Sequence, residues 1–139
     1  MKGKNISGFT LIELLIVMII LGLIASLVGP RMFGRVSSAK TGTARTQIEL
    51  LGSALDAYRL DNGAYPTTAQ GLNALREQAQ GLKTWRGPYL PKPVPLDPWD
   101  RPYFYKSPGD HGDYDLYSYG LDGQPGGEEE NEDILSWEN

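Results

Sequence analysis

The chain has 139 residues, 22% of them charged, enough for one small domain with a stalk or tail but not for two full domains. It has no cysteine, which excludes disulfide staples, thiol catalysis and cysteine-based zinc sites. The net charge of −4 argues against nucleic-acid binding, and it is unevenly spread: no Lys or Arg follows Lys106, whereas ten acidic residues lie between Asp110 and Glu138.

The first element is an apolar run from Phe9 to Gly29, about 21 residues, or roughly 31 Å as a helix, close to the thickness of a bilayer core. Lys2 and Lys4 precede it, and basic residues stay on the cytoplasmic side, so the rest of the chain is expected outside the cytoplasm. One charge, Glu13, sits inside the run. A secretory signal peptide cleaved near Leu23 to Ser26 accounts for the basic start but not for Glu13, and a plain membrane anchor leaves Glu13 unexplained too. A carboxylate in lipid costs about 2.5–3.5 kcal/mol on insertion scales, and such charges are usually kept because they find a partner. No Lys, Arg or His lies within the run, so a third reading takes the partner from another chain or from a new amino terminus made by cleavage.

The order basic leader, Gly8, Phe9, Thr10-Leu11, Glu13 and then a long apolar run resembles the class III signal of type IV pilins and type II secretion pseudopilins. The resemblance implies cleavage by a prepilin peptidase between Gly8 and Phe9, N-methylation of Phe9, and retention of the apolar run. It also supplies a partner: a methylated amine is still a cation, and Glu13 of one subunit can pair with the Phe9 amine of a neighbour, offsetting two costly charges and setting the register of incoming subunits.

Pro30 follows Gly29. A proline there suits a helix terminus or kink, since it removes a backbone donor and disfavours a helical residue before it. The family pattern has a proline here too, and the resemblance implies a segment that can melt on assembly. From Arg31 to Tyr58 the pattern is an amphipathic helix: Ala44, Ile48, Leu51, Leu55 and Tyr58 recur at spacings of three and four and form a core-facing stripe. Arg31, Arg35, Lys40, Arg45 and Arg59 mostly line other positions. Gly63 suits the C-terminal cap and Pro66 cannot continue the helix. The expected organisation is thus a leader over 1–8, a membrane and assembly helix over 9–29, an amphipathic helix over 30–62, and a head over 63–139.

In the head, a Thr after Tyr65-Pro66 can cap a short helix through Leu75. Six prolines lie between Pro88 and Pro102, which also suits a polyproline ligand segment, but the Trp and Tyr among them favour an ordered loop laid across a small core. The aromatic-rich stretches Pro102–Lys106 and Asp113–Gly120 alternate as strands of a hairpin would. Here the chain is similar to one branch: "YRLDNGAYPTTAQGLNAL", "PLDPWDRPY" and "YDLYSYGLDGQPGG" resemble the major pseudopilin of type II secretion, the G-type subunit, over nearly the whole chain. The resemblance implies an α+β, type IV pilin-like fold in which a long N-terminal helix packs on a small antiparallel-sheet head. Asp100 stands where the family usually has Gly, and the same left-handed turn is expected because Asp tolerates it. "DILSW" replaces a usual "DIGNW", a departure that could mark a divergent system with its own cargo.

A head of about 75 residues without a disulfide has a thin core, and small domains commonly need a staple. Residues 119–134 combine carboxylates, carbonyls and glycines, the chemistry of a calcium loop, although EF-hand spacing is absent and a solvated acidic tail fits the composition as well. Major pseudopilins bind calcium in this loop. The resemblance therefore implies Ca2+ held by the carboxylates of Asp122 and Asp133 and the carbonyls of Tyr119 and Gln124, with further oxygen from Glu132 or, less readily, Glu128 or Glu130.

The only histidine, His111, lies among Asp110, Asp113 and Asp115, but no serine elbow, phosphate loop or HExxH motif accompanies it, and catalysis is not expected. The function implied is mechanical: a major subunit that polymerises into a periplasmic pseudopilus and supports export of folded proteins through the outer membrane. Implied partners are copies of itself, minor pseudopilins, a prepilin peptidase, the inner membrane, and an inner-membrane assembly platform with its ATPase. The alternatives are a type IV pilin for adhesion or motility, and a membrane-anchored or secreted soluble binding domain.

Overall fold

A computed structural model of the chain describes residues 8–138, with the side chains of residues 30–33 excepted. The readings on Lys2 and Lys4, and on the side chains of Pro30 and Arg31, fall outside the described residues. The chain divides into two compact units, Met1–Val36 and Ser37–Asn139.

A single helix, α1 (Leu11–Asn62), runs through both. Its backbone stays helical through Pro30, so the terminus that a proline suggests there is not realised. A proline deletes one i→i−4 bond, at a cost of about 3 kcal/mol, and the helix continues past that gap to Asn62. Among the described residues of the first unit, the large apolar side chains of α1 are exposed: Leu11, Met18, Leu23 and Leu27 are each more than half exposed. This stretch is long and apolar enough to cross a membrane.

In the second unit α1 becomes the spine of a core. Ala44, Ile48, Leu51, Leu55 and Tyr58, the stripe read from the spacing, are all buried, and Ala54 joins them. They meet Leu72, Ala74, Leu75, Tyr103, Leu116 and Ile134 from the head. The helix ends as its cap residue requires: Gly63 takes φ 79° and its N–H donates to the Arg59 carbonyl at 2.7 Å.

The short helix expected after Tyr65 is only partly formed. Thr67 and Gln70 close a reciprocal box, in which Gln70 N donates to Thr67 Oγ1 at 3.3 Å and Thr67 N donates to Gln70 Oε1 at 2.8 Å. The turn then breaks at Gly71 (φ 60°), and a 3-10 helix covers Leu72–Leu75. The proline-rich segment is an ordered loop, as its aromatics suggest. Trp85, Tyr89, Leu90 and Val94 pack against the core. Backbone and side chain both tie it down: Tyr89 N donates to Leu75 O at 2.8 Å, Trp85 Nε1 to Ala74 O at 3.0 Å, and Arg76 Nη1 to Leu90 O at 2.6 Å.

Strands β1 (Phe104–Lys106) and β2 (Asp115–Ser118) form the expected antiparallel hairpin, in register Phe104 with Tyr117 and Tyr105 with Leu116. A third strand that the sequence did not announce, β3 (Ile134–Leu135), pairs antiparallel with β2 and makes the order β1-β2-β3. Alternation sorts the faces: Leu116 and Ser118 of β2 are fully buried, while Phe104 and Tyr117 stack across the other face at 5.1 Å. This sheet holds both ends of the acidic segment, since residues 119–133 leave from β2 and return as β3.

Candidate functional site

Two regions carry the site residues. At the head of α1, Gly8 and Phe9 are exposed, and Thr10 and Glu13 form a capping box. Thr10 N and Thr10 Oγ1 both donate to Glu13 Oε2, at 2.9 and 2.8 Å, and Glu13 N donates to Thr10 Oγ1 at 3.3 Å. The acidic charge also lies at the positive end of the helix dipole. Thr10 is a local partner for Glu13 that charge reasoning passed over, although Thr-x-x-Glu before an apolar run is a recognisable signature.

The acidic loop is built on close backbone approach. Gly120, at φ 64°, sits where a Cβ would stand 2.7 Å from the Glu130 carbonyl oxygen and 2.8 Å from that of Glu132, so only glycine fits. Leu121 N donates to the same Glu130 carbonyl at 2.8 Å. The outgoing and returning arms of the loop are therefore zipped together at their base.

Between them the two expected aspartate ligands are held by backbone. Asp122 Oδ1 accepts from Gln124 N at 3.0 Å, and Asp133 Oδ2 accepts from Gly126 N at 2.8 Å. Two buried side-chain polar atoms among the described residues have no hydrogen-bond partner: Trp99 Nε1 and Asp133 Oδ1. The indole is a donor and cannot bind a cation, but an orphaned buried carboxylate oxygen is short of one. The donor set here is oxygen only, which suits a hard cation such as calcium.

The structure does not bring every expected residue together. The Glu132 side chain is exposed and its backbone closes a 3-10 turn, Glu129–Asn131. Tyr119 is expected to offer its carbonyl rather than its side chain, and its ring lies against Phe104 and Tyr117, 5.0 Å from each. Among the described residues no three acidic or histidine side chains converge as a preformed metal cluster, so any shell here must lean on backbone carbonyls. Sequence reasoning also missed Arg101, whose Nη1 donates to Gly120 O at 2.8 Å and Nη2 to Leu121 O at 2.7 Å.

The turn beside this arginine behaves as read. Asp100 takes φ 64°, and Asp97 braces it, Oδ1 accepting from Trp99 N at 3.0 Å and Arg101 N at 2.9 Å. Buried Asp97 also accepts from Ser118 Oγ at 2.6 Å.

His111 is tied down structurally. Its ring stacks on Trp137 at 4.0 Å, and its Nδ1 lies 3.0 Å from Asp115 Oδ2. Buried Asp115 also accepts from the backbone N–H groups of Asp110 at 2.9 Å and His111 at 3.1 Å. Burial pushes this carboxyl up, but the hydrogen bonds from Asp110 and His111 outweigh it and hold the group below the usual carboxylate range.

Comparison with known proteins adds the following. A family described as "Type II secretion system (T2SS), protein G" matches residues 31–137, and "Prokaryotic N-terminal methylation motif" matches residues 3–29. The chain is 45% identical to the type II secretion system core protein G of Pseudomonas aeruginosa, over 100% of both chains. It is 45% identical to that of Vibrio cholerae, over 98% of this chain and 94% of the relative. Among solved structures it resembles the major pseudopilin of enterohaemorrhagic Escherichia coli, with a TM-score of 0.64 and 38% identity, over 78% of this chain and 95% of the other.

Proposed function

This chain belongs to the type II secretion system protein G family and is a pseudopilus subunit of type II secretion, and we propose the following finer reading of how it works. It enters the inner membrane as a single-pass precursor with its head in the periplasm. A prepilin peptidase cuts between Gly8 and Phe9 and methylates Phe9. Subunits then polymerise with themselves, capped or joined by minor pseudopilins, on an inner-membrane platform driven by an ATPase. The role is mechanical rather than catalytic.

The observation that carries this reading is the bare apolar surface between Phe9 and Val28, most of it on α1. A surface of that size does not stay in water; it is covered by lipid or by other subunits. Retention of the run after processing lets the same residues serve both states in turn. The Thr10–Glu13 box makes the charge tolerable before assembly, because the carboxylate starts with hydrogen bonds of its own. In the filament Glu13 exchanges or shares them with the Phe9 amine of a neighbour, a pairing that sets register. Relatives named for secretion favour this over an adhesive or motility pilin.

The head carries calcium in this reading. Asp122 and Asp133 supply carboxylates, Tyr119 and Gln124 supply carbonyls, and Glu132 or, less readily, Glu128 or Glu130 adds oxygen. Calcium would supply the positive charge that the orphaned Asp133 oxygen lacks, and would cross-link the two arms of the loop. The test of processing is mass spectrometry of the N-terminal peptide of protein extracted from native membranes. A peptide starting at methylated Phe9 is expected; a start near Ser26, or an intact Met1, would overturn the assembly mechanism.

A further inference from the structure

We propose that Arg101 is the positioning residue of the cation loop, fixing the backbone around Asp122 in its binding shape; the inference rests on the calcium reading above. The guanidinium spans two successive carbonyls, Gly120 O at 2.8 Å and Leu121 O at 2.7 Å. It also crowds the next turn, where a Cβ at Gly123 would stand 2.7 Å from Nη1 and 2.9 Å from Cζ. Asp122 is therefore bracketed: the carbonyls before it and the glycine after it all touch one rigid planar group.

Arg101 is itself held. Its N–H donates to Asp97 Oδ1 at 2.9 Å, and its carbonyl accepts from Asp97 N at 2.8 Å. The same Asp97 reaches β2 through Ser118 Oγ at 2.6 Å, and that hydroxyl accepts from Gly120 N at 3.4 Å. The loop entrance is thus clamped by a closed circuit of side chains anchored in the sheet and in the proline-rich segment.

A glycine-rich loop has many conformations to lose when it wraps an ion, and fixing part of it beforehand lowers that loss. Repulsion between a guanidinium and a dication works the other way. It is offset here by the two carboxylates that the loop backbone holds, Asp122 and Asp133. The fork geometry matters as well as the charge, since an ammonium is a point donor and cannot set the relative direction of two carbonyls.

The experiment is calcium titration by calorimetry of the full-length protein in detergent, with melting followed in EGTA and in saturating calcium. Arg101→Gln should weaken the Kd for calcium by about tenfold, equivalent to about 1.4 kcal/mol, with excess calcium restoring most of the melting temperature. Arg101→Lys, which keeps the charge and the aliphatic stem and so guards against simple misfolding, should be weakened in the same way. An unchanged or tighter Kd in both variants, or equal losses of melting temperature with and without calcium, would make Arg101 a mere strut and overturn the proposal. Wild-type protein that binds no calcium overturns the calcium reading and this inference together; wild-type binding with unaltered variants overturns this inference alone.

Discussion

Asp115 shows how one side chain can organise a corner of the head. It is buried at the start of β2, yet every direction it faces offers a donor: the backbone of Asp110 and His111, and the His111 ring. Lys106, its partner across the β1–β2 register, instead turns to Asp110 at 2.6 Å. Because the fold holds the Asp115 carboxyl below its usual range, the folded state favours the anion more than the unfolded chain does. Its contribution is therefore complete above the ordinary aspartate range and is lost as pH falls through the lowered folded value. Acid unfolding of the wild-type head should steepen below about pH 4, and Asp115→Asn should flatten that dependence while destabilising the head at neutral pH by about 1–3 kcal/mol. Urea titrations at a series of pH values measure both, and parallel pH profiles for the two proteins would refute the assignment.

At the scale of the element, α1 has two kinds of face and the packing separates them. Leu55 is wholly buried among head residues, whereas Leu60, five positions on, is 86% exposed. Leu55→Ala should lose about 2–5 kcal/mol of head stability by opening a cavity, and Leu60→Ala should change it by less than about 0.5 kcal/mol. Denaturant melts followed by the fluorescence of Trp85, Trp99 and Trp137 report on the head directly, and similar losses in both variants would mean that the faces are misassigned. Periodicity made this element legible, because a stripe repeated over four turns is a strong signal and its burial depends on little else. The two residues of β3 gave no such signal: Ile134 and Leu135 are strand only because β2 offers a free edge on which to pair. Gly71 likewise split what looked like one short helix. In the loop, residue type marked only a glycine-rich, oxygen-rich acidic segment, and it was the family resemblance that singled out Asp122 and Asp133. The part played by Arg101 is a contact across about twenty residues, which no local spacing encodes.

The whole molecule joins a segment that cannot stay in water to a head that has little core of its own. The head's buried apolar residues are few, half of them come from α1, and no disulfide closes the chain. Small domains in this position gain much from a bound ion, because an ion that binds only the folded state stabilises it in proportion to the logarithm of its concentration. The loop is where such help has most effect: residues 119–133 link β2 to β3, so a loose loop also releases the edge strand and with it Ile134 from the core. Chelation with EGTA should therefore lower the melting temperature of the wild-type head by several degrees, at roughly 4–8 °C per kcal/mol for a domain of this size. Asp122→Ala should melt at the chelated wild-type value whether or not calcium is present, and cells carrying it should assemble fewer pseudopili and secrete less. The proposed processing predicts that the N-terminal peptide of this variant still starts at Phe9 while its assembly is reduced, because the defect lies in the head and not in the helix. Equal melting of wild type and variant, with and without calcium, would remove the ion from the account and leave the orphaned Asp133 oxygen to be satisfied by water.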